Sequence, residues 1–173
     1  EDKLGGDDPY SASKAASEIL TASYQKSFFD RESRVYLSSA RAGNVIGPGD
    51  WSENRILPDY YRAKMSNNSL SLRYPYSTRP WQHVLEPLFG YLVLAAEMFT
   101  NEKTKSGAWN FGPFPHTKKT VLDLVDSLNS LNGGEEVLIE ISKGNNLHEA
   151  ALLNLDITKA TNILRWRPIF SFE

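Results

Sequence analysis

Asp8-Pro9-Tyr10-Ser11-Ala12-Ser13-Lys14 opens the stretch that decides the fold, and Arg34-Val35-Tyr36-Leu37-Ser38-Ser39-Ala40 closes it. Asp8 stands where a helix N-cap belongs, because its carboxylate accepts from backbone N–H groups that have no partner inside the first turn. Pro9 follows at the first helical position, where a missing N–H costs nothing. The next residues, Tyr10 to Phe29, are rich in Ala and place Ala12, Ala16, Ile19, Ser23 and Tyr24 at helical spacing. That pattern predicts a long helix with one buried face. Arg34 to Ala40 is too short and too rich in β-formers for a second helix, and it reads as a buried strand.

Working outward, Gly43 to Trp51 is a loop with glycines and a proline. A helix near Arg55–Met65 and a short strand over Leu70–Tyr74 follow, with a further short strand at Gln82–Leu85. Glu86–Phe99 reads as a strong helix whose stripe is Leu88, Tyr91, Leu92, Ala95 and Phe99. Ala108–Phe111 is a strand stopped by Gly112-Pro113. Lys119–Leu131 is an amphipathic helix ended by Asn132-Gly133-Gly134. Val137–Ile141 and Leu152–Leu155 read as strands, and Ile157–Leu164 as a last helix. Strands alternating with helices make an α/β chain. The opening helix, however, lacks the strand that precedes a helix in a parallel βαβ unit.

Composition narrows the function. The chain has 173 residues, 40% hydrophobic and 23% charged, with a net charge of −2. Such a balance suits a folded domain and gives no electrostatic footprint for nucleic acid or an anionic membrane. No apolar run approaches the roughly 20 residues of a membrane span. Cys is absent, so disulfides, thiolate metal sites and cysteine nucleophiles are excluded, which fits a reducing, cytoplasmic setting. His83, His116 and His148 have neither the spacing nor the carboxylate partners of a metal site. Trp51, Trp81, Trp109 and Trp166 read as core or pocket wall.

Tyr10 and Lys14 are four apart on a helix and share a face. An ammonium beside a phenol favours the phenolate, which can then act as a general base on a hydroxyl. Taken bare, Y-x-x-x-K is a weak pattern, far more often an exposed surface pair than a catalytic one. Its surroundings favour the chemical reading. Pro9-Tyr-Ser-Ala-Ser-Lys14 resembles the active-site helix of extended short-chain dehydrogenase/reductases, the family of nucleotide-sugar epimerases and dehydratases. Further segments resemble that family in the expected order. They are Arg41-Ala-Gly-Asn-Val-Ile-Gly-Pro-Gly49, Asn54-Arg-Ile-Leu-Pro58, Arg79-Pro-Trp-Gln-His-Val84, Trp109-Asn-Phe-Gly112 and Leu164-Arg-Trp-Arg-Pro168. The wording of Ala40–Trp51, Arg79–Pro87 and His148-Glu-Ala150 is most similar to the branch of 4,6-dehydratases that act on CDP-glucose.

The resemblance implies a fold, a cofactor and site residues. The fold is the C-terminal half of an extended short-chain dehydrogenase/reductase: part of a Rossmann-type parallel sheet plus the smaller substrate-binding α/β subdomain. Residues 1–173 form one partial epimerase/dehydratase domain. Tyr10 and Lys14 are the catalytic pair, and with Ala42 and Gly43 they touch NAD. Asn44, Arg55, Ser71, Arg73 and Arg79 face the nucleotide-sugar substrate, CDP-glucose, with Asn44 and Arg79 on its diphosphate. Arginine is the preferred bidentate phosphate partner, although a structural ion pair is the plain alternative for Arg79. Arg73 is equally readable as a solvated charge. Asn145-Asn146 stands where related epimerases carry a nucleotide-binding Arg, so that contact is in doubt. The resemblance also implies a homodimer through the Tyr-bearing helix, whose stripe Ala15, Ile19, Ala22 and Lys26 is distinct from the Tyr10–Lys14 edge.

The implied reaction is NAD-dependent 4,6-dehydration of CDP-glucose to CDP-4-dehydro-6-deoxyglucose, for deoxysugar and surface polysaccharide synthesis. The departures bear on it. No G-x-x-G-x-x-G loop is present, and Gly43, Gly47 and Gly49 have the wrong spacing with Pro48 among them. The acid/base residues for elimination are also missing, and the chain begins with Glu1 where an initiating Met would stand. The expectation is a C-terminal fragment, inactive alone. Two alternatives stay open: another nucleotide-sugar dehydratase or 4-epimerase, and a non-catalytic sugar-nucleotide-binding module.

Overall fold

The computed structural model describes residues 4–29, 35–100, 106–114, 116–133, 136–142 and 152–172. Its elements run α1 (Pro9–Phe28), β1 (Ser38–Ala42), β2 (Asn44–Ile46), α2 (Ile56–Ser66), β3 (Leu70–Leu72), β4 (Thr78–Arg79) and β5 (Trp81–His83). They continue with α3 (Leu85–Thr100), β6 (Gly107–Phe111), β7 (Lys119–Thr120), α4 (Val121–Leu131), β8 (Ile139–Ile141) and α5 (Thr158–Ile163). The architecture is α/β, and three of the four strand pairs among the described residues are parallel. Two compact units divide the chain. The first takes 1–42, 87–111 and 157–167; the second takes 43–86, 112–156 and 168–173.

In the first unit β1 pairs in parallel with β6, Ala40 opposite Trp109 and Ala42 opposite Phe111. Side chains alternate along a strand, so Ser39, Arg41, Ala108 and Asn110 share one face and Ala40, Ala42, Trp109 and Phe111 the other. Helix α1 covers the first face. On the second, Phe111 lies edge-on to Tyr91 of α3 at 5.4 Å and to Trp166 at 5.0 Å between ring centroids. Gly90 lets α3 approach closely enough for this, since a Cβ there would overlap the Phe111 ring. Lys159 of α5 sits 4.0 Å from the centroid of the Trp109 ring. Trp109, Phe111 and Trp166 are the large buried side chains of this core.

The second unit has its core at Tyr60, Ala63, Leu70, Leu72, Val125 and Val137, between α2, α4 and the parallel pair β3–β8. The Tyr60 hydroxyl donates to Asn129 Oδ1 at 2.8 Å and accepts from Asn132 Nδ2 at 2.6 Å, so this buried phenol is satisfied. Helix α4 starts on a capping box in which Thr120 and Asp123 serve each other's backbone N–H. Strand β2 pairs with β5, and Gly43 and Gly47 flank it. A Cβ at Gly43 would come 2.6 Å from Pro80 Cγ, and one at Gly47 2.6 Å from Val84 Cγ1.

Several expectations need correction. On α1 the residues Ala12, Ala16, Ile19, Ser23 and Tyr24 are exposed. The stripe that packs is Ser11, Ala15, Glu18, Thr21, Gln25 and Phe29, because an ion pair from Glu18 orients the helix. Ala15 is therefore buried within its own unit and leaves the stripe expected to meet a twofold mate. On α3 the stripe Leu88, Leu92, Ala95 and Phe99 is exposed, while Pro87, Gly90 and Leu94 are buried. This helix is apolar nearly all round, so periodicity did not choose its inner side. The first strand lies at Ser38–Ala42, where β6 offers a ladder, and Val35–Leu37 are outside it. The loop after it contains β2. Only Leu152 of the Leu152–Leu155 strand pairs, in an isolated bridge with Thr78. Trp51 is exposed in its loop, in contrast to the other three tryptophans. Asn145, Asn146 and His148-Glu-Ala150 lie outside the described residues. No helix among the described residues is long and apolar enough to cross a membrane.

Candidate functional site

The first unit carries the Tyr–Lys pair. Asp8 caps α1, its carboxylate accepting from the Ser11 N–H at 2.9 Å and the Ser11 hydroxyl at 2.6 Å. These hydrogen bonds hold the Asp8 carboxyl below its usual range. The cap fixes the first turn, on which Tyr10 is 71% exposed, so its phenol is accessible. The Lys14 ammonium lies 5.6 Å from the centroid of the Tyr10 ring, within cation–π reach. The structure thus brings the two expected catalytic residues together on an open edge.

What holds that edge is Glu18, the one acidic residue of α1. Its carboxylate takes a bidentate pair of hydrogen bonds from Arg41, Nε at 2.7 Å and Nη2 at 2.8 Å, and a third from the Ser39 hydroxyl at 2.7 Å. The Arg41 hydrogen bonds, with Ser39 behind them, hold the Glu18 carboxyl below its usual range. The clamp ties α1 to β1, at whose end stands Ala42, expected at the cofactor. Sequence reasoning passed over Glu18; a lone acid on an otherwise neutral and basic helix was the available signal.

The second unit carries the expected substrate residues. Asn44 starts β2 opposite Trp81, and Gly43 lies against Pro80, so both stand beside the Arg79–His83 segment. Arg79 is 7% exposed and donates to the Thr78 carbonyl at 2.9 Å. Lys119 is directly opposite it in the antiparallel β4–β7 ladder. The Lys119 ammonium lies over the Phe172 ring, 5.1 Å from its centroid. The Asp123 carboxyl is held below the usual range mainly by Thr120, with a smaller contribution from Lys119. The buried Thr78 Oγ1 and Trp81 Nε1 find no hydrogen-bond partner among the described residues. Arg55, at the N-terminus of α2, and Ser71 and Arg73, in and just after β3, are exposed on separate elements.

The two described histidines, His83 and His116, make local contacts. His83 Nδ1 accepts from the Leu85 N–H at 3.2 Å, and its ring meets Phe170 edge-on; His116 stacks on Phe114. Among the described residues no three His, Asp or Glu side chains cluster as a metal site would require. The buried Glu86, also unforeseen, accepts from the N–H groups of Ile169 and Phe170 at 2.6 and 2.5 Å and straps the C-terminal segment down.

Comparison with known proteins finds no matching family model. The chain is 44% identical over 169 residues to a CDP-glucose 4,6-dehydratase of Salmonella typhimurium, a match covering 95% of this chain and 47% of that protein. The dTDP-glucose 4,6-dehydratase of Streptomyces venezuelae, solved with NAD bound, superposes with a TM-score of 0.80 at 21% identity, over 98% of this chain and 49% of that one. A UDP-glucuronic acid 4-epimerase of Bacillus cereus, solved with UDP-glucuronic acid and NAD, gives 0.78 at 19% identity, over 99% and 53%. The chain spans about half the length of the curated relative it matches, and it has the fold of about half of these dehydratases and epimerases.

Proposed function

We propose that this chain belongs to the epimerase/dehydratase family and is the Tyr–Lys-bearing, substrate-binding part of a CDP-glucose 4,6-dehydratase. The observation that carries the reading is 44% identity through 95% of the chain. The exposed Tyr10–Lys14 pair supports it with chemistry. The solved 4-epimerase fits almost as well as the dehydratase, so the fold does not separate those reactions, and the sequence match is what supports dehydration.

The Tyr10–Lys14 edge suits the nicotinamide-ribose end of NAD, while the sequence has no glycine-rich loop for its pyrophosphate. When bound, NAD supplies a hydride acceptor for the sugar C4 and a donor for C6. The chain's own residues then have these roles. Tyr10 takes the proton of the sugar 4-hydroxyl. Lys14 holds the ribose hydroxyls. Arg79 and Asn44 hold the substrate diphosphate, the Arg as a planar fork and the Asn amide as a neutral donor. The C5 proton and the departing C6 water need acid/base groups beyond the Tyr10–Lys14 pair. We also propose a homodimer through the exposed part of α1, with Ile19, Ala22 and Lys26 on its surface.

The test is direct. The purified chain with CDP-glucose and NAD⁺ should form no 4-keto sugar, while calorimetry should show CDP-glucose binding that Arg79→Ala weakens by about one to two decades. Turnover near the rate of the Salmonella enzyme, or binding indifferent to Arg79, would overturn the proposal.

A further inference from the structure

Asn132-Gly133 is the single Asn-Gly step in the sequence, and it stands at the C-terminus of α4. An asparagine loses its amide when the next backbone nitrogen attacks the side-chain carbonyl carbon, and asparagine is accordingly among the thermolabile residues. Glycine in the next position leaves that nitrogen unshielded, since it has no Cβ. Gly133 is exposed with φ at 70°, and a Cβ built on it would meet nothing within 4 Å. Two features of the fold hold the reaction back. Ring closure needs the Gly133 nitrogen turned toward the Asn132 Cβ. At ψ 14° that nitrogen nearly eclipses Asn132's own backbone nitrogen and stands away from Cβ. The side-chain amide is also engaged, Nδ2 donating to the Tyr60 hydroxyl at 2.6 Å and to the Leu128 carbonyl at 2.8 Å. Tyr60 in turn donates to Asn129 Oδ1, which also accepts from the Val137 N–H at 3.0 Å. The Tyr60 hydrogen is thereby committed, and position 132 must supply a donor.

We propose that Asn132 is a self-modification site: when the last turn of α4 opens, its amide deamidates, and the resulting acid cannot rebuild the network around Tyr60. In this step the Gly133 nitrogen bonds to Asn132 Cγ and the Cγ–Nδ2 bond breaks. Ammonia leaves with the proton that the Gly133 nitrogen gives up, and water then opens the ring to aspartate or isoaspartate. Helix ends open far more readily than the global fold, so local opening sets the rate. A carboxylate is an acceptor only. It would face the Leu128 carbonyl and a Tyr60 oxygen whose hydrogen is already given to Asn129. Tyr60 is fully buried in the cluster that also holds Val125 and Val137, so the lost donor is felt in the second unit's core. Isoaspartate additionally routes the main chain through Cβ at the helix end. The inference is independent of the activity proposed above.

The test follows the change of charge and mass at Asn132 in mildly alkaline buffer, by ion exchange and by mass spectrometry of the digested chain. A synthetic peptide of residues 128–137 gives the rate without the fold. The folded chain should convert at Asn132 at least about tenfold more slowly than the peptide, yet ahead of its other asparagines. Tyr60→Phe removes one acceptor of the amide and should convert about fivefold faster than the wild type, the loss of one hydrogen bond. The converted chain and Asn132→Asp should both melt below the wild type. Equal rates in chain and peptide, first conversion at another asparagine, no acceleration by Tyr60→Phe, or unchanged melting of the converted chain would overturn the proposal. Should Tyr60→Phe not fold, the chain-to-peptide comparison and the melting of Asn132→Asp decide.

Discussion

Replacing Glu18 by Gln keeps the side chain's size and removes its charge, which isolates the clamp between α1 and β1. The carboxylate receives three hydrogen bonds, and its side chain is 18% exposed against 37% for Arg41. Hydrogen bonds to a charged group are worth about 1.5–3 kcal/mol. The exposure of Arg41 brings screening, so the lower part of that range applies, about 1.5–2 kcal/mol. For a chain of this size each kcal/mol moves the melting temperature by about 2–4 °C, so the variant should melt about 3–8 °C lower. The pH dependence has a definite sign. Glu18 has a depressed carboxyl, with an ordinary value of 4.5, so its contribution is complete above that value and is lost as pH falls through the folded-state value. Thermal melts of both proteins should therefore differ steadily from pH 8 to about pH 5 and converge in stronger acid. Amide exchange should show the loss concentrated in α1 and β1. Equal melting at pH 7, or a gap that persists once the wild-type carboxyl is protonated, would refute the electrostatic account of how α1 is held.

Other sites give expectations of the same kind. Arg79→Ala should weaken CDP-glucose binding by about one to two decades, the loss of a charge-assisted pair, and Arg79→Lys should restore part of it; a variant that loses stability but keeps its affinity would mark Arg79 as structural. Thr120→Ala should cost about 1 kcal/mol by breaking the capping box, seen as faster exchange in the first turn of α4. In acid the native helix should lose the other half of the box, the Asp123 carboxylate accepting from the Thr120 N–H and hydroxyl, since Asp123 acts as a depressed carboxylate. Gly90→Ala gains up to about 1 kcal/mol of helix propensity yet should destabilise, because the Phe111 ring it meets is fully buried between Tyr91 and Trp166 and overpacking costs about 1–3 kcal/mol; a higher melting temperature would refute this.

Local chemistry was legible in the sequence wherever it was also strong. Asp8 and Pro9 announced α1, and Asn132-Gly133 announced the end of α4, because capping depends on a few neighbouring residues. The two-residue strands β4 and β7, and β2 within its loop, were invisible because their ladders exist only through partners distant in sequence. Helix faces were misjudged for two different physical reasons. On α1 the inward stripe is chosen by an ion pair, so counting apolar residues selected the wrong side. On α3 apolar residues occur nearly all round, and the inner face is set by Gly90, which alone admits Phe111.

The same division between local and distant applies to the candidate site. Tyr10 and Lys14 were readable because a helix places i and i+4 together with no further information. Arg79 was expected at a phosphate, but its burial and its place opposite Lys119 arise from the β4–β7 register, which no local pattern encodes. That register sets Lys119 opposite Arg79, and alternation along β4 turns Thr78 to the other face, so which side chains share a surface there is decided by the ladder and not by neighbours in sequence.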